Sequence, residues 1–168
     1  MELFSQECRK KAEEASALLM KRGERVATAE SCTGGLIAGL FTEFPGSSSW
    51  FLGSVVAYDN SVKHNILGVS NEILQEFGAV SEECVKEMLL GTHNSIKSDW
   101  ALAVSGIAGP SGATPDKPLG TVFVGVSYKG KVLEVSHNVF AGDRVSVREQ
   151  SVEKALDLLL FWLEKSQK

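Results

Sequence analysis

The hydrophobic positions along the chain alternate between a helical spacing and short continuous runs. Residues 2–22 place apolar side chains three or four positions apart, which predicts an amphipathic helix that ends at Gly23. A short run over residues 25–29 predicts a strand. The spacing from about Thr33 to Phe44 then predicts a second helix, which stops at Pro45.

The same alternation continues through the middle of the chain. The run FLGSVVAY at 51–58 contains β-branched residues and predicts a strand that is buried on both faces. Short helices are predicted after Asp59 and Ser70, and a longer helix after Ser81, because these side chains are good helix N-caps. Residues 100–104 predict a third strand.

The last third of the chain predicts two paired strands and one long helix. Residues 121–128 and 131–140 form apolar runs on either side of the turn at Lys129-Gly130, which is typical of an antiparallel hairpin. The last helix is predicted to begin after Asp143. We therefore predict a single α/β domain over residues 1–168. It has three layers, α/β/α, and a mixed, mostly parallel sheet of about five strands with one antiparallel hairpin.

Composition narrows the possible functions. The 168 residues are 43% hydrophobic and 23% charged, which is ordinary for a globular domain, and the net charge of −4 argues against binding to nucleic acid. No apolar run approaches the length of a membrane span. The three cysteines lie far apart and no metal-binding spacing occurs, so we expect a cytoplasmic protein with no metal and no cofactor.

The stretch TAESCTGG at 28–35 is the first candidate for chemistry. It places two possible nucleophiles, Ser31 and Cys32, at a predicted strand-to-helix turn, followed by Thr33, Gly34 and Gly35. Free N–H groups at a helix start can bind an oxyanion or a phosphate. A plain turn is the alternative. A thiol here would be reactive, but a small cysteine more often packs behind such a turn, so the residues alone favour serine by a modest margin.

Polar side chains follow three of the predicted strands. Ser31 follows the first, Tyr58, Asn60 and Lys63 close the second, and Ser105 follows the third. The carboxyl ends of parallel strands meet at one edge, where ligands bind in open α/β sheets. Serine needs a base, and a buried lysine with a lowered pKa can serve, directly or with Tyr58 as a relay. A solvated lysine and a packing tyrosine are the alternatives.

A loop rich in glycine and proline, from residue 105 to residue 120, separates the third and fourth strands. Connections of this length in a compact domain are usually functional. The last helix then carries Arg144 and Arg148 four positions apart, so that both lie on one face near its N-terminus. Two such arginines can hold a phosphate or a carboxylate, although arginines paired with acidic neighbours are the alternative.

Five motifs together resemble one protein family. They are TAESCTGG at 28–35, PGSSSWFLGSVVAYDNSVK at 45–63, GAVSE at 78–82, SGIAGPSGATPDKPLGTV at 105–122 and AGDRVSVR at 141–148. They resemble the CinA C-terminal domain family, the nicotinamide-nucleotide amidohydrolases. The motifs cover most of the chain in the family's order, and their combination is specific although each alone is not.

The resemblance implies an activity and a set of catalytic residues. The expected reaction is hydrolysis of nicotinamide mononucleotide to nicotinic acid mononucleotide and ammonia, with Ser31 as nucleophile and Tyr58 and Lys63 completing the site. Ser105 stands where many relatives have threonine, and the hydroxyl is kept. Family members also occur fused behind a larger N-terminal domain, so a stand-alone form is expected here.

The residues and the resemblance combine into one expected substrate site. The oxyanion would lie against the N–H groups of Thr33, Gly34 and Gly35, and the phosphate would bind Arg144 or Arg148. The Gly-rich loop would enclose the ribose or the ring. The remaining expected substrate contacts are Asn60, Ser105, Gly106, Gly109 and Gly112.

Two further expectations concern alternatives and assembly. A catalytically silent nucleotide-binding or regulatory module could use the same cleft, and this second function class stays open. We also expect a homo-oligomer. Trp50, Phe51 and Trp162 are candidates for a subunit contact, although all three could instead belong to the core.

Overall fold

The computed structural model describes residues 4–166, which form one five-stranded sheet between two layers of helices. Residues 1–3 and 167–168 of the predicted domain lie outside the described residues. The first helix, predicted from residue 2, begins at Gln6 because the Ser5 side chain caps it by accepting from the Cys8 N–H. It ends where predicted, at a left-handed Gly23.

The order of elements agrees with the sequence prediction. The helices are α1 (Gln6–Arg22), α2 (Leu36–Thr42), α3 (Asn60–Leu67), α4 (Asn71–Glu76), α5 (Glu82–Ile96) and α6 (Arg144–Lys165). The strands are β1 (Val26–Glu30), β2 (Phe51–Val56), β3 (Trp100–Gly106), β4 (Thr121–Tyr128) and β5 (Lys131–Val139). A short 3-10 turn at Ser47–Ser49 precedes β2.

The sheet has the strand order β2-β1-β3-β4-β5. β1 is parallel to both of its neighbours, whereas β4 is antiparallel to β3 and to β5. Four of the five strands therefore run in one direction, which confirms the prediction of a mixed, mostly parallel sheet. Their carboxyl ends meet at one edge, which we call the carboxyl edge, and the opposite side is the amino edge.

Alternate residues of the central strands pack against the two helix layers. Leu102 and Val104 of β3 face the cluster formed with α1, α2 and α6, whereas Ala101 and Ala103 face the cluster formed with α5. Such alternation follows from the two-residue period of a strand. Gly91 of α5 allows α3 to approach closely, since an added Cβ would collide with the last turn of that helix.

Two sequence predictions about the second strand are wrong. β2 is an edge strand whose residues are half-buried or exposed, rather than a strand buried on both faces. It ends at Val56, so that Ala57 and Tyr58 lie beyond it. A continuous apolar run does not distinguish a central strand from an edge strand that packs aromatic side chains below the sheet.

The second helix is also shorter than predicted. Residues 31–35 form a turn, in which Gly34 and Gly35 have φ angles of +62° and +94°, and α2 begins only at Leu36. Positive φ angles are incompatible with a right-handed helix, and glycine adopts them without strain. The polar stretch after β1 is therefore a turn rather than the first turn of a helix.

The aromatic residues considered for a subunit contact belong to the interior or its margin. Trp50 is 1% exposed and packs edge to face on Phe41, with ring centroids 5.1 Å apart. Phe51 is half-buried in the same cluster. Trp162 is half-buried and donates from Nε1 to Glu134. Trp50 is therefore a core residue, which corrects its place among the candidate contacts.

The predicted helix caps position the functional segments. Asp59 caps α3 and Asp143 caps α6, each by accepting a hydrogen bond from a first-turn N–H. Both helices begin at the carboxyl edge, so that their first turns face the same space. Within residues 4–166, no helix combines the length and apolar character needed to cross a bilayer.

Candidate active site

A pocket of about 280 Å³ opens at the carboxyl edge. The turn after β1, the start of α3, the segment before α5, the loop after β3 and the start of α6 all contribute to it. Its lining consists of Ser31, Cys32, Tyr58, Asn60, Lys63, Ala79, Val80, Ser105, Gly106, Ile107, Ala108, Gly109, Ser111, Gly112 and Arg144.

Ser31 and Lys63 form the central pair of this pocket. Ser31 follows β1 directly, and the Lys63 side chain reaches it from the first turns of α3. The Lys63 Nζ lies 3.0 Å from the Ser31 Oγ, 2.7 Å from the Ala57 carbonyl oxygen and 3.0 Å from that of Tyr58. Only 1% of Lys63 is exposed.

The surroundings of Lys63 favour a neutral amine. Burial lowers the pKa of Lys63 below its ordinary value, and no carboxylate contacts its Nζ among the described residues. A neutral amine has two N–H donors and one lone pair. The two carbonyls can take the donors, and the lone pair then faces the Ser31 hydroxyl. The pair can therefore transfer the serine proton to lysine.

Cys32 lacks the features of an activated nucleophile. Burial raises the pKa of its thiol to about 11, so the thiol stays protonated at neutral pH. Its side chain is 5% exposed, and the base contacts its neighbour instead. Contact with Lys63 therefore favours Ser31 over Cys32 as the nucleophile, which stays a prediction.

The side chain of Glu30, the last residue of β1, binds the start of α2, and the sequence analysis did not assign it a role. Its buried carboxylate accepts from the Thr33 hydroxyl at 2.7 Å and from the N–H groups of Gly35, Ile37 and Ala38 at 2.9–3.1 Å. A carboxylate that directly precedes a Gly-rich helix start was the available signal. The anion site of this helix terminus is consequently filled by the protein itself.

The predicted oxyanion site at residues 33–35 needs correction for this reason. The Gly35 N–H is bound to Glu30, and the Gly34 N–H donates to the Ser31 carbonyl oxygen at 3.0 Å. In the part of the chain that the structure describes, the N–H groups of Cys32 and Thr33 donate to no other residue. Of these two residues, Cys32 lines the pocket.

Tyr58 contributes its backbone to the catalytic pair and its side chain to the rim. The carbonyl oxygen accepts from Lys63, whereas the side chain is 62% exposed and its hydroxyl lies 3.3 Å from Arg144 Nη2. Because Lys63 contacts Ser31 directly, the geometry favours direct proton transfer. The expected relay through Tyr58 is not supported by these contacts.

The two arginines near the start of α6, Arg144 and Arg148, make different contacts. Arg144 lines the pocket, where Nη1 donates to the Gly109 carbonyl oxygen at 2.9 Å. Arg148 is absent from the lining, and it donates to the carbonyl oxygens of Cys32 and Thr33 at 3.0 and 2.9 Å. The expectation that either arginine could bind a phosphate is therefore corrected, since only Arg144 faces the pocket.

The remaining predicted residues line the pocket. Ser105 is buried and donates from Oγ to the Ala79 carbonyl oxygen at 2.7 Å, which ties β3 to the segment before α5. Sequence reasoning did not assign Ala79 and Val80 to the pocket, although the GAVSE motif at 78–82 was the signal that could have identified them. The predicted residues found in the lining are Asn60, Ser105, Gly106, Gly109 and Gly112.

The charge of the pocket is positive. Arg144 belongs to its lining, and none of its described lining residues is acidic. Such a lining favours an anionic or uncharged polar ligand over a cation. Within residues 4–166, no group of three or more histidine, cysteine, aspartate or glutamate side chains is arranged to hold a metal ion.

The fold and the site together define an α/β domain with a serine–lysine pair in a strand-end pocket. Residues 8–163 match the family described as the CinA C-terminal domain. The chain belongs to the CinA C-terminal domain family, which confirms the resemblance noted in its motifs.

Curated relatives and solved structures agree with this assignment. A CinA-like protein from Fervidobacterium nodosum is 49% identical over 150 residues, which cover 89% of this chain and 36% of that protein. One from Leptospira borgpetersenii is 45% identical over 154 residues, or 92% of this chain and 37% of that protein. The chain thus spans little more than a third of these relatives.

Two crystal structures share the fold over nearly their whole length. A competence/damage-inducible protein from Agrobacterium tumefaciens superposes with a TM-score of 0.90 at 36% identity, covering 98% of this chain and 99% of the other. A CinA superfamily protein from Klebsiella pneumoniae gives a TM-score of 0.90 at 34% identity, covering 94% and 98%.

Proposed function

We propose that the protein is an amidohydrolase that converts nicotinamide mononucleotide into nicotinic acid mononucleotide and ammonia. The observation that carries the proposal is the 3.0 Å contact between Lys63 Nζ and Ser31 Oγ, in a pocket whose described lining has no carboxylate. The choice of substrate rests on the family motifs, and the positive pocket suits a phosphorylated ligand.

The first half of the reaction forms an acyl-enzyme. The Ser31 Oγ attacks the carboxamide carbon while its proton passes to Lys63 Nζ, whose pKa is lowered by burial. The carbonyl oxygen becomes an oxyanion. The Cys32 N–H, which donates to no other residue in the described part of the chain and follows the nucleophile directly, is the backbone donor available to it.

The second half releases both products. The tetrahedral intermediate collapses, the C–N bond breaks, and Lys63 returns the proton to the departing nitrogen, so that ammonia leaves. Water then attacks the acyl carbon and gives its proton to Lys63, and Ser31 regains its hydrogen as the carboxylate product departs. The same lysine acts as base and acid in each half, and no second titratable group is needed.

Arg144 gives the substrate its orientation. Its guanidinium lies at the rim, where it contacts Tyr58 and Gly109, whereas Ser31 lies on the turn after β1. A phosphate paired with Arg144 would leave the carboxamide directed toward Ser31. Arginine suits this role because its planar group can bind phosphate through two hydrogen bonds.

Ammonia release from nicotinamide mononucleotide by the purified protein tests the proposal. We expect turnover in the wild type and loss of at least about 10³-fold in Ser31→Ala and Lys63→Ala, because nucleophile and base act as a unit. Titration calorimetry on the same variants reports binding separately. Nucleotide binding without turnover in the wild type would instead indicate the silent nucleotide-binding module, and turnover that survives Ser31→Ala would exclude the serine mechanism.

A further inference from the structure

Arg148 approaches the nucleophile turn from the side of α6. Its Nε donates to the Cys32 carbonyl oxygen and its Nη2 to that of Thr33, so that one planar group binds two successive carbonyls. Gly34 lies beside this contact: an added Cβ would meet Nη2 at 3.4 Å, an ordinary van der Waals distance, but its φ of +62° disfavours other residues.

These contacts fix every peptide unit around Cys32. The C=O and the N–H of one trans peptide point in opposite directions, so fixing the carbonyl also fixes the N–H. Arg148 holds the unit after Cys32 directly through its carbonyl. It holds the next unit through the Thr33 carbonyl, and the Gly34 N–H of that unit donates to the Ser31 carbonyl, which fixes the unit before Cys32.

The direction of the Cys32 N–H therefore depends on Arg148. The Ser31 carbonyl is turned toward Gly34, so the N–H of the same peptide unit points away from the turn's interior. It donates to no other residue in the described part of the chain, and Cys32 lines the pocket. An oxyanion-hole donor must have these properties: a fixed direction, no competing acceptor and proximity to the nucleophile.

We propose that Arg148 is a positioning residue that aims the Cys32 N–H at the oxyanion and polarises the peptides around it. This inference deepens the proposed function and rests on Ser31 being the nucleophile. The guanidinium carries a fixed positive charge and binds the Cys32 carbonyl oxygen, next to the peptide unit whose N–H would face the developing negative charge. Hydrogen bonds in such a chain strengthen one another in a protein interior. Arg148 thus stabilises the transition state without touching the substrate.

The division of labour between the two arginines follows from their contacts. Arg144 faces the pocket and should act on substrate affinity, whereas Arg148 should act on the rate of bond making. Lysine cannot replace Arg148 fully, because one ammonium cannot match the planar fork that binds two carbonyls. A graded series from arginine through lysine to glutamine therefore separates geometry from charge.

Acylation of Ser31 by p-nitrophenyl acetate provides a test that needs no nucleotide. The Ser31 Oγ forms a bond to the acetyl carbon, its proton goes to Lys63, and the ester bond breaks to release nitrophenolate, which is measured by absorbance. Mass spectrometry locates the acetyl group. The variants are Arg148→Gln and Arg148→Lys. Lys154→Gln serves as a control on the same helix, and Ser31→Ala defines the background.

The expected result is a fall in acylation rate of about 10–100-fold in Arg148→Gln, less than complete loss of an oxyanion donor because the N–H remains present. Arg148→Lys should fall between that variant and the wild type, and Lys154→Gln should match the wild type. The pH midpoint of acylation should stay unchanged, since Arg148 does not contact Lys63. KM for the nucleotide should change by less than about twofold, whereas Arg144→Gln should raise it.

Several outcomes would overturn the inference. Acylation of Arg148→Gln within twofold of the wild type would do so, as would a rise in KM as its only defect. If Arg148→Gln does not fold, a wild-type rate in Arg148→Lys would have the same meaning. Nitrophenolate release that is equal in wild type and Ser31→Ala would remove the nucleophile and the inference with it. Acylation at Ser31 without nucleotide turnover would contradict only the proposed substrate.

Discussion

The two ends of the sheet hold two polar clusters with opposite properties. At the amino edge, the Glu24 carboxylate accepts from Trp100 Nε1 and from the Tyr128 hydroxyl, each at 2.7 Å, and pairs with Arg22 at 2.8 Å. Burial alone would raise the pKa of Glu24, but these hydrogen bonds and the arginine lower it on balance. The Glu24 carboxylate therefore has a positive partner, and both donors have an acceptor.

At the carboxyl edge, Lys63 is buried without an opposite charge. Its partners are two carbonyl oxygens and a hydroxyl, all uncharged, and the pocket opens beside it. The cluster around Glu24, which we call the matched cluster, contributes to stability because its charge and its hydrogen-bond donors all have partners. The unmatched cluster can exchange a proton, because the two charge states of the lysine are closer in free energy.

The largest expected effect comes from removing the Lys63 amine, which is buried without an opposite charge. Lys63→Met should lower turnover by at least about 10³-fold, because general base catalysis is lost. Its free energy of unfolding at pH 7 should change by less than about 2 kcal/mol, because the three hydrogen bonds lost at Nζ are offset by removal of the buried amine. Steady-state kinetics and urea unfolding measure the two quantities.

Lys11→Met is the matched control for that substitution. Lys11 pairs with Glu153 at 2.8 Å and with Asp157 at 2.7 Å, far from the pocket, and these partners raise its pKa although burial opposes them. The variant should lose about 1 kcal/mol of stability and keep full turnover. Equal stability losses in both lysine variants would erase the distinction between the buried Lys63 and the partly exposed, ion-paired Lys11.

The next largest effect should come from the matched cluster. Glu24→Ala leaves the Trp100 and Tyr128 donors without their acceptor and should cost about 2–4 kcal/mol, with turnover unchanged. The folded-state pKa of Glu24 is lowered, so its contribution is complete above the ordinary value of 4.5 and is lost as pH falls through the folded-state pKa. Urea unfolding from pH 7 to pH 3 should show the gap between wild type and variant narrowing in acid.

The pH dependence of turnover should reveal the neutral lysine. Because burial lowers the pKa of Lys63, the active fraction should rise with pH through a midpoint below the ordinary lysine value of 10.5 and then level off. The value of kcat/KM, measured from pH 6 to pH 10, gives this midpoint for the free enzyme. A rate that is flat over this range would show that no group titrates with the reaction.

The smallest effect is expected at the rim. Tyr58→Phe should reduce kcat by less than about threefold, because the hydroxyl contacts Arg144 rather than Ser31 or Lys63, and the backbone carbonyl that holds Lys63 is unchanged. Any larger change should appear in KM, which steady-state kinetics separates from kcat. A 100-fold loss in kcat would instead support a proton relay through the Tyr58 hydroxyl.

Most of the fold was accessible from local sequence signals. The caps Asp59, Ser70, Ser81 and Asp143 all lie where predicted, since a short polar side chain satisfies first-turn N–H groups wherever it occurs. The edge position of β2 was not accessible, because a strand's neighbours depend on long-range pairing that its own residues do not encode.

The candidate site shows the same division. Most of the predicted residues line one pocket because they follow strands that run in the same direction. Arg144 and Arg148 looked equivalent in sequence, four positions apart on one helix face. They differ because the nucleophile turn meets one guanidinium and the pocket meets the other.

The sequence by itself determined the elements, their order and the family, because helical periodicity, caps and motifs are local patterns. Only the tertiary structure decided which groups are free to react. The Glu30 carboxylate binds the N–H groups at the start of α2 that the sequence left without a partner. Burial without a counter-charge lowers the pKa of Lys63. The reason is physical: desolvation and hydrogen-bond competition depend on every group packed nearby, whatever its distance along the chain.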